Sequence, residues 1–138
     1  MNFETPGPVE EGLAAAISPI GEIIEAARQG QMFILVDHED RENEGDFVIP
    51  AQFADAAAIN FMATHGRGLI CLPMTSERVD LFGLPMMAVN NSSRHETAFT
   101  VSIEAREGVS TGISAGDRAL TVATAIAEGS GAADIATP

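Results

Sequence analysis

One domain mixing helices with strands is what this sequence predicts, and three observations predict it. Its 138 residues fit a single domain, large enough to bury a core and too short to suggest two. Apolar residues recur at helical spacing in some segments and fill short continuous runs in others. No internal repeat or long low-complexity tract interrupts them, and a chain that is 46% hydrophobic is not composed for disorder.

The elements follow in order. Residues 1–17 are expected to form a loose leader, acidic and containing Pro6 and Pro8, and residues 18–138 the domain. Ser18 is placed to cap a helix with Pro19 at its first position, Ile20, Ile23, Ile24 and Ala27 share a face, and Gly30 ends it. Residues 31–36 read as a fully buried strand and residues 47–49 as a second, with Gly45 available for the bend between them. Residues 55–65 predict a helix closed by Gly66, and residues 68–72 a strand stopped by Pro73. A short helix is expected over 76–82, irregular chain over 84–91 and an alternating strand over 98–103. Ser114 and Asp117 have capping-box spacing before a helix over 119–127. Residues 129–138 are small, polar and weakly patterned, so the chain is expected not to finish on a packed element.

Composition excludes several functions. Seven basic against 20 acidic residues leave a net charge of −13, which argues against nucleic acid, whose binding needs a concentrated positive surface. Every basic residue is an arginine, so Schiff-base catalysis and a P-loop lysine are absent from this chain. Cys71 is the lone cysteine, which rules out an internal disulfide and a thiolate zinc cluster and suits a cytoplasmic home. No apolar run approaches the roughly 20 residues that cross a bilayer, and the N-terminus lacks the basic, then apolar, order of a secretory signal.

The densest feature is Asp37-His38-Glu39-Asp40-Arg41-Glu42-Asn43-Glu44-Gly45-Asp46, following directly on Met32-Phe33-Ile34-Leu35-Val36. An EF-hand loop starting at Asp40 fails, because its twelfth position is Ala51 rather than a bidentate glutamate and its flanks read as strands. A solvated charged turn is one remaining reading, since charge runs usually are that. The other is a Mg2+ or Mn2+ site with acid/base carboxylates: in an extended segment Glu42, Glu44 and Asp46 alternate onto one side. His38 and His65 are weaker ligand candidates, His65 being better placed to serve a helix C-terminus. Cys71 reads as a small core residue as readily as a reactive one. Ser110, Thr111 and Ser114, around a glycine at a helix start, could bind phosphate through hydroxyls and backbone N–H groups, although capping alone explains Ser114.

Five ordered segments then resemble one family. They are residues 39–46, Thr64-His65-Gly66-Arg67-Gly68-Leu69-Ile70-Cys71, Leu84-Pro85-Met86, Ala98-Phe99-Thr100-Val101, and Thr111-Gly112-Ile113-Ser114-Ala115 with Asp117-Arg118. Together they resemble 3,4-dihydroxy-2-butanone 4-phosphate synthase, the riboflavin-pathway enzyme that converts ribulose 5-phosphate into the four-carbon phosphate and formate. The resemblance implies a single α+β domain with a mixed β-sheet and packed helices, a homodimer, and a Mg2+ (or Mn2+) cofactor. It implies that Glu42 binds the metal and the substrate, that Arg41 and Asp46 contact the sugar phosphate, and that Asp37, Glu44 and Cys71 belong to the catalytic pocket. Arg94, His95, Ser110 and Thr111 are expected to position the substrate. The family pattern continues with a Gly-His segment and an Arg-Ala-Gly-His-Thr segment carrying a second metal ligand, and no histidine follows His95 here. The chain is therefore expected to match the N-terminal two-thirds of the enzyme and to lack measurable activity alone. The rival expectation is a non-catalytic dimerisation or binding module of the same fold.

Overall fold

The computed structural model describes residues 16–38, 40–92 and 97–138, so the expected leader, Glu39, Arg94 and His95 fall wholly or largely outside the described residues. Helix α1 (Ile20–Arg28) opens without a side-chain cap: Pro19 itself stands at the N-cap, its carbonyl accepting the Glu22 N–H at 3.0 Å, and Ser18 plays no capping part. Gly30, at φ +75°, ends the turn beneath the Phe53 ring, where a Cβ would come within 2.8 Å of ring carbon. Ile23 and Ala27 are half-buried, whereas Ile20 and Ile24 remain exposed.

Strand β1 (Phe33–Val36) pairs antiparallel with β2 (Gly45–Val48), Phe33 opposite Val48 and Val36 opposite Gly45. The expectation of a fully buried strand over 31–36 fails, because these two strands form a sheet by themselves and Ile34, Leu35 and Val36 are each more than half exposed. Gly45 is also displaced from its expected role: it is a ladder residue, and Asn43, at φ +53°, makes the bend.

After a single 3-10 turn (Ala51–Phe53), helix α2 (Ala56–Phe61) is capped by Asp55, whose carboxylate accepts the Ala58 N–H at 2.8 Å. It runs on as a π-helical turn (Met62–Gly66), and the chain leaves it through Arg67 at φ +60°, so the left-handed stop is Arg67 and not Gly66. Residues 68–72 lie in neither sheet. An extended run becomes a strand only when a neighbour completes its ladder, and no described segment does so.

Helix α3 (Ser76–Phe82) begins at Thr75, whose hydroxyl accepts the Arg78 N–H, and ends at Gly83 in the left-handed conformation. The alternating run over 98–103 reduces to one bridge, Thr100 with Met86; strand β3 is the later pair Glu104–Ala105. Helix α4 (Ala115–Ile126) is capped by Ser114 as expected, its hydroxyl accepting the Asp117 N–H at 3.0 Å. Residues 129–138 do finish on a packed element, against expectation: β4 (Ile135–Ala136) pairs with β3, and Ile135 is only 4% exposed.

The core therefore gathers between α3, α4 and the β3–β4 pair, with Phe82, Leu84, Ala125 and Ile135 in mutual contact. Arg78 and Arg106 serve it as caps on backbone carbonyls. Arg78 donates to Ala125 O and Ala127 O at the end of α4, and Arg106 donates to Ala132 O, Ala133 O and Ile135 O. The α+β class stands, but the described strands form two antiparallel pairs in place of one mixed sheet. No helix among the described residues is long and apolar enough to cross a membrane.

Candidate functional site

The acidic hairpin is built around Asp37. Its backbone N–H donates to Glu44 O at 3.2 Å, one rung beyond the β1–β2 ladder. Its carboxylate then accepts the N–H groups of Glu44 at 2.8 Å and Glu42 at 3.1 Å, while Arg41 Nε lies 2.8 Å away. These donors, the Glu44 N–H foremost, hold the Asp37 carboxyl below its ordinary range, so it stays ionised at neutral pH.

Arg41 also reaches Glu42, Nη2 to Oε2 at 2.8 Å, and so bridges two of the hairpin's carboxylates. The left-handed Asn43 breaks the extended run on which the expected alternation rested: only Glu44 and Asp46 keep strand spacing, and Glu42 sits across the turn. Accordingly no three His, Cys, Asp or Glu side chains converge among the described residues. His38 is engaged locally, Nδ1 accepting the Asp40 N–H at 3.3 Å, and the His65 ring lies 4.5 Å from that of Phe61 at the end of the π-helical turn. Phe61 in turn meets Phe47 of β2 edge-on, which ties this turn to the hairpin.

Cys71 lies beside the same hairpin and is exposed, unlike a packed core thiol. Partial desolvation, and secondarily the Asp46 carboxylate, push its thiol above the ordinary value.

Ser110 and Thr111 lie before α4, in a loop whose organisation the sequence did not disclose. The carboxylate of Asp117 turns back onto it, accepting the N–H groups of Ser110, Thr111 and Gly112 and the Ser110 hydroxyl at 2.8 Å. The serine-to-aspartate spacing was legible as a cap; the direction of the aspartate was not. A depression of about 540 Å3 lies elsewhere, an open and mainly apolar groove along Ala51, Phe53, Leu120 and Ile126.

A family model for 3,4-dihydroxy-2-butanone 4-phosphate synthase matches residues 21–138. Among individual proteins, the 3,4-dihydroxy-2-butanone 4-phosphate synthase of Pseudomonas aeruginosa is 56% identical over 123 residues, which cover 89% of this chain and 34% of that protein. A riboflavin biosynthesis protein of Bacillus subtilis is 55% identical over 104 residues, 75% of this chain and 26% of its own. A crystal structure of 3,4-dihydroxy-2-butanone 4-phosphate synthase in complex with two magnesium ions superposes with a TM-score of 0.84 at 36% identity, over 88% of this chain and 57% of that one. The chain thus spans about a third of the length of the first of these relatives and somewhat over half of the solved one. It belongs to the 3,4-dihydroxy-2-butanone 4-phosphate synthase family.

Proposed function

We propose, with that family membership as premise, that this protein serves riboflavin biosynthesis as a divalent-cation-dependent lyase. It splits D-ribulose 5-phosphate into 3,4-dihydroxy-2-butanone 4-phosphate and formate. The five-carbon sugar phosphate divides into those two products with no other reagent, so the site needs proton transfers and charge stabilisation but no oxidant. The observation that carries the reading is the anchored hairpin, in which Asp37 fixes both the Glu42 and Glu44 backbones and Arg41.

The donors present suit a hard cation. Mg2+ binds carboxylate and water oxygens and commonly takes one or two protein carboxylates with substrate oxygens completing its shell. Glu42 would hold it (or Mn2+), which requires Arg41 to yield its present partner. Bound there, the ion would polarise the substrate ketone and stabilise enediolate charge. In this reading Glu44 removes the proton beside the ketone, and Cys71, protonated at neutral pH, returns one. Asp37 belongs to the same catalytic pocket and holds Glu42 and Arg41 in place. Arg41 and Asp46 grip the sugar phosphate, with Arg94, His95 and the hydroxyls of Ser110 and Thr111 positioning it.

The protein would work in the cytoplasm as a homodimer, residues 18–138 supplying its domain; the exposed apolar side chains of β1 support association. That same surface favours the second reading, a non-catalytic association module of this fold. Formate release from ribulose 5-phosphate separates the two. It should be measured with Mg2+ and with chelator, for this chain and for the chain extended with the later segment of the Pseudomonas aeruginosa relative. The lyase reading expects Mg2+-dependent formate from the extended chain, lost in Glu42→Gln together with metal binding, and lost in Glu44→Gln with metal binding largely kept. Formate from neither form, or undiminished in Glu42→Gln, would reject it.

A further inference from the structure

Among the described residues, Arg41 is the arginine that bridges two carboxylates. Arg78 and Arg106 are engaged by backbone carbonyls, and Arg28 meets Glu25 on α1. The two ends of the Arg41 bridge differ. Nε lies 2.8 Å from Asp37 Oδ2, in a side chain 17% exposed whose carboxylate also accepts the Glu42 and Glu44 N–H groups. Nη2 lies 2.8 Å from Glu42 Oε2, in a side chain 36% exposed that has no second donor among the described residues. Asp37 is thus fixed from three sides and the Glu42 carboxylate from one, so the Glu42 end is the first to open. When it opens, Glu42 keeps its place, because its own N–H is tied to Asp37.

A guanidinium and a divalent cation compete for one oxygen here. An ion that takes Oε2 into its inner shell, at about 2.1 Å, brings its charge against Nη2 and repels it. The Nε contact keeps Arg41 tethered, so the released Nη edge stays beside the site. That edge has the forked geometry that takes two oxygens of an oxyanion.

We propose that Arg41 is a latch on the metal ligand. It holds Glu42 until a divalent cation displaces Nη2, and the displaced guanidinium, still anchored on Asp37, is then presented to a tetrahedral oxyanion. Cation and oxyanion therefore favour each other's binding. The identity of the cation rests on the lyase reading above; the latch goes beyond it by fixing a coupling between two ligands that is measurable without turnover.

Mn2+ binding to the 138-residue chain is measured by calorimetry in chloride and in sulfate at equal ionic strength, sulfate being the oxyanion probe. Arg41→Gln removes the latch and should bind Mn2+ about fivefold more tightly in chloride, the upper end for an exposed ion pair. The natural chain should gain affinity when sulfate replaces chloride, and Arg41→Gln should not. Equal or weaker binding by Arg41→Gln overturns the proposal, as does a natural chain indifferent to sulfate or a variant that responds to it equally. Should Arg41→Gln not fold, Arg41→Lys decides. A single ammonium cannot stay on Asp37 and turn a forked edge to the oxyanion, so the sulfate response should vanish, and a full response overturns the latch. Glu42→Gln separates two failures. Mn2+ binding undiminished in that variant removes the metal site of the lyase reading and the latch with it, whereas binding lost there but not gained in Arg41→Gln removes the latch alone.

Discussion

Replacing Ile135 by alanine tests whether the end of the chain belongs to the core. Ile135 is 4% exposed and touches Phe82, Leu84 and Ala125, with Val79, Ile103 and Met74 packed around them. The substitution removes three buried carbons, worth about 0.8 kcal/mol each by transfer, or roughly 2.4 kcal/mol together. The cavity left behind adds to that and brings the expected loss to about 3 kcal/mol, within the usual range of about 2–5 for such truncations. Against a typical total of about 5–15 kcal/mol this is a large share. At roughly 4 °C per kcal/mol for a chain of this size, the melting temperature should fall by about 12 °C. Urea and thermal melts of the variant, with Ile113→Ala at a 72% exposed position as control, measure it. A loss below about 1 kcal/mol, or one matched by the control, would refute the packing of β4 against α3 and α4.

Three further outcomes are expected. Asp37→Asn keeps the shape of the side chain but not its charge or its capacity for three donors, so Mn2+ affinity measured by calorimetry should fall about 10–100-fold, as for other groups that orient a metal ligand; unchanged affinity would undo the positioning role. Cys71 should alkylate slowly at neutral pH and faster only above the ordinary thiol value, with protection by ribulose 5-phosphate and Mg2+, whereas fast neutral reaction or no protection would remove it from the pocket. Asp37 and Asp117 both bind protons less readily folded than unfolded, Asp117 chiefly through the Ser110 hydroxyl. Between the folded and unfolded values the unfolded chain carries more protons, so stability is complete above the ordinary carboxyl value of 3.8 and is lost as pH falls through the lower folded values. Acid melts of the natural chain and Asp117→Asn should converge as pH drops through that window; parallel curves would contradict it.

Local signals carried the helices well and the strands poorly. The helix over 76–82 was legible to the residue because its stop, Gly83, and its apolar spacing are all written within a few positions. Segments 68–72 and 98–103 have the composition of strands, yet a ladder depends on a partner that composition does not name. The converse error is β4: a two-residue strand lies below any periodic signal, and its place is fixed by Arg106, which reaches across to three carbonyls some 26–29 residues away.

The site divides along the same line. Six carboxylates crowded into residues 37–46 are visible as charge, and the aspartate-to-glutamate order of the family motif names the ligand candidate. The crowding is tolerated for a reason the order does not reveal. Asp37 takes up backbone donors five and seven positions ahead, which requires Asn43 to enter the left-handed region, and Arg41 then neutralises Asp37 and Glu42 together. Read as an extended run, the same residues gave a three-carboxylate face that does not form. The hairpin in its place holds Glu42 under a guanidinium, so a divalent cation arriving there meets a competitor rather than a vacancy. On the reading proposed above, a cation held by Glu42 would displace Arg41 from that carboxylate while leaving its contact with Asp37, so metal uptake and anion uptake would be coupled through one side chain.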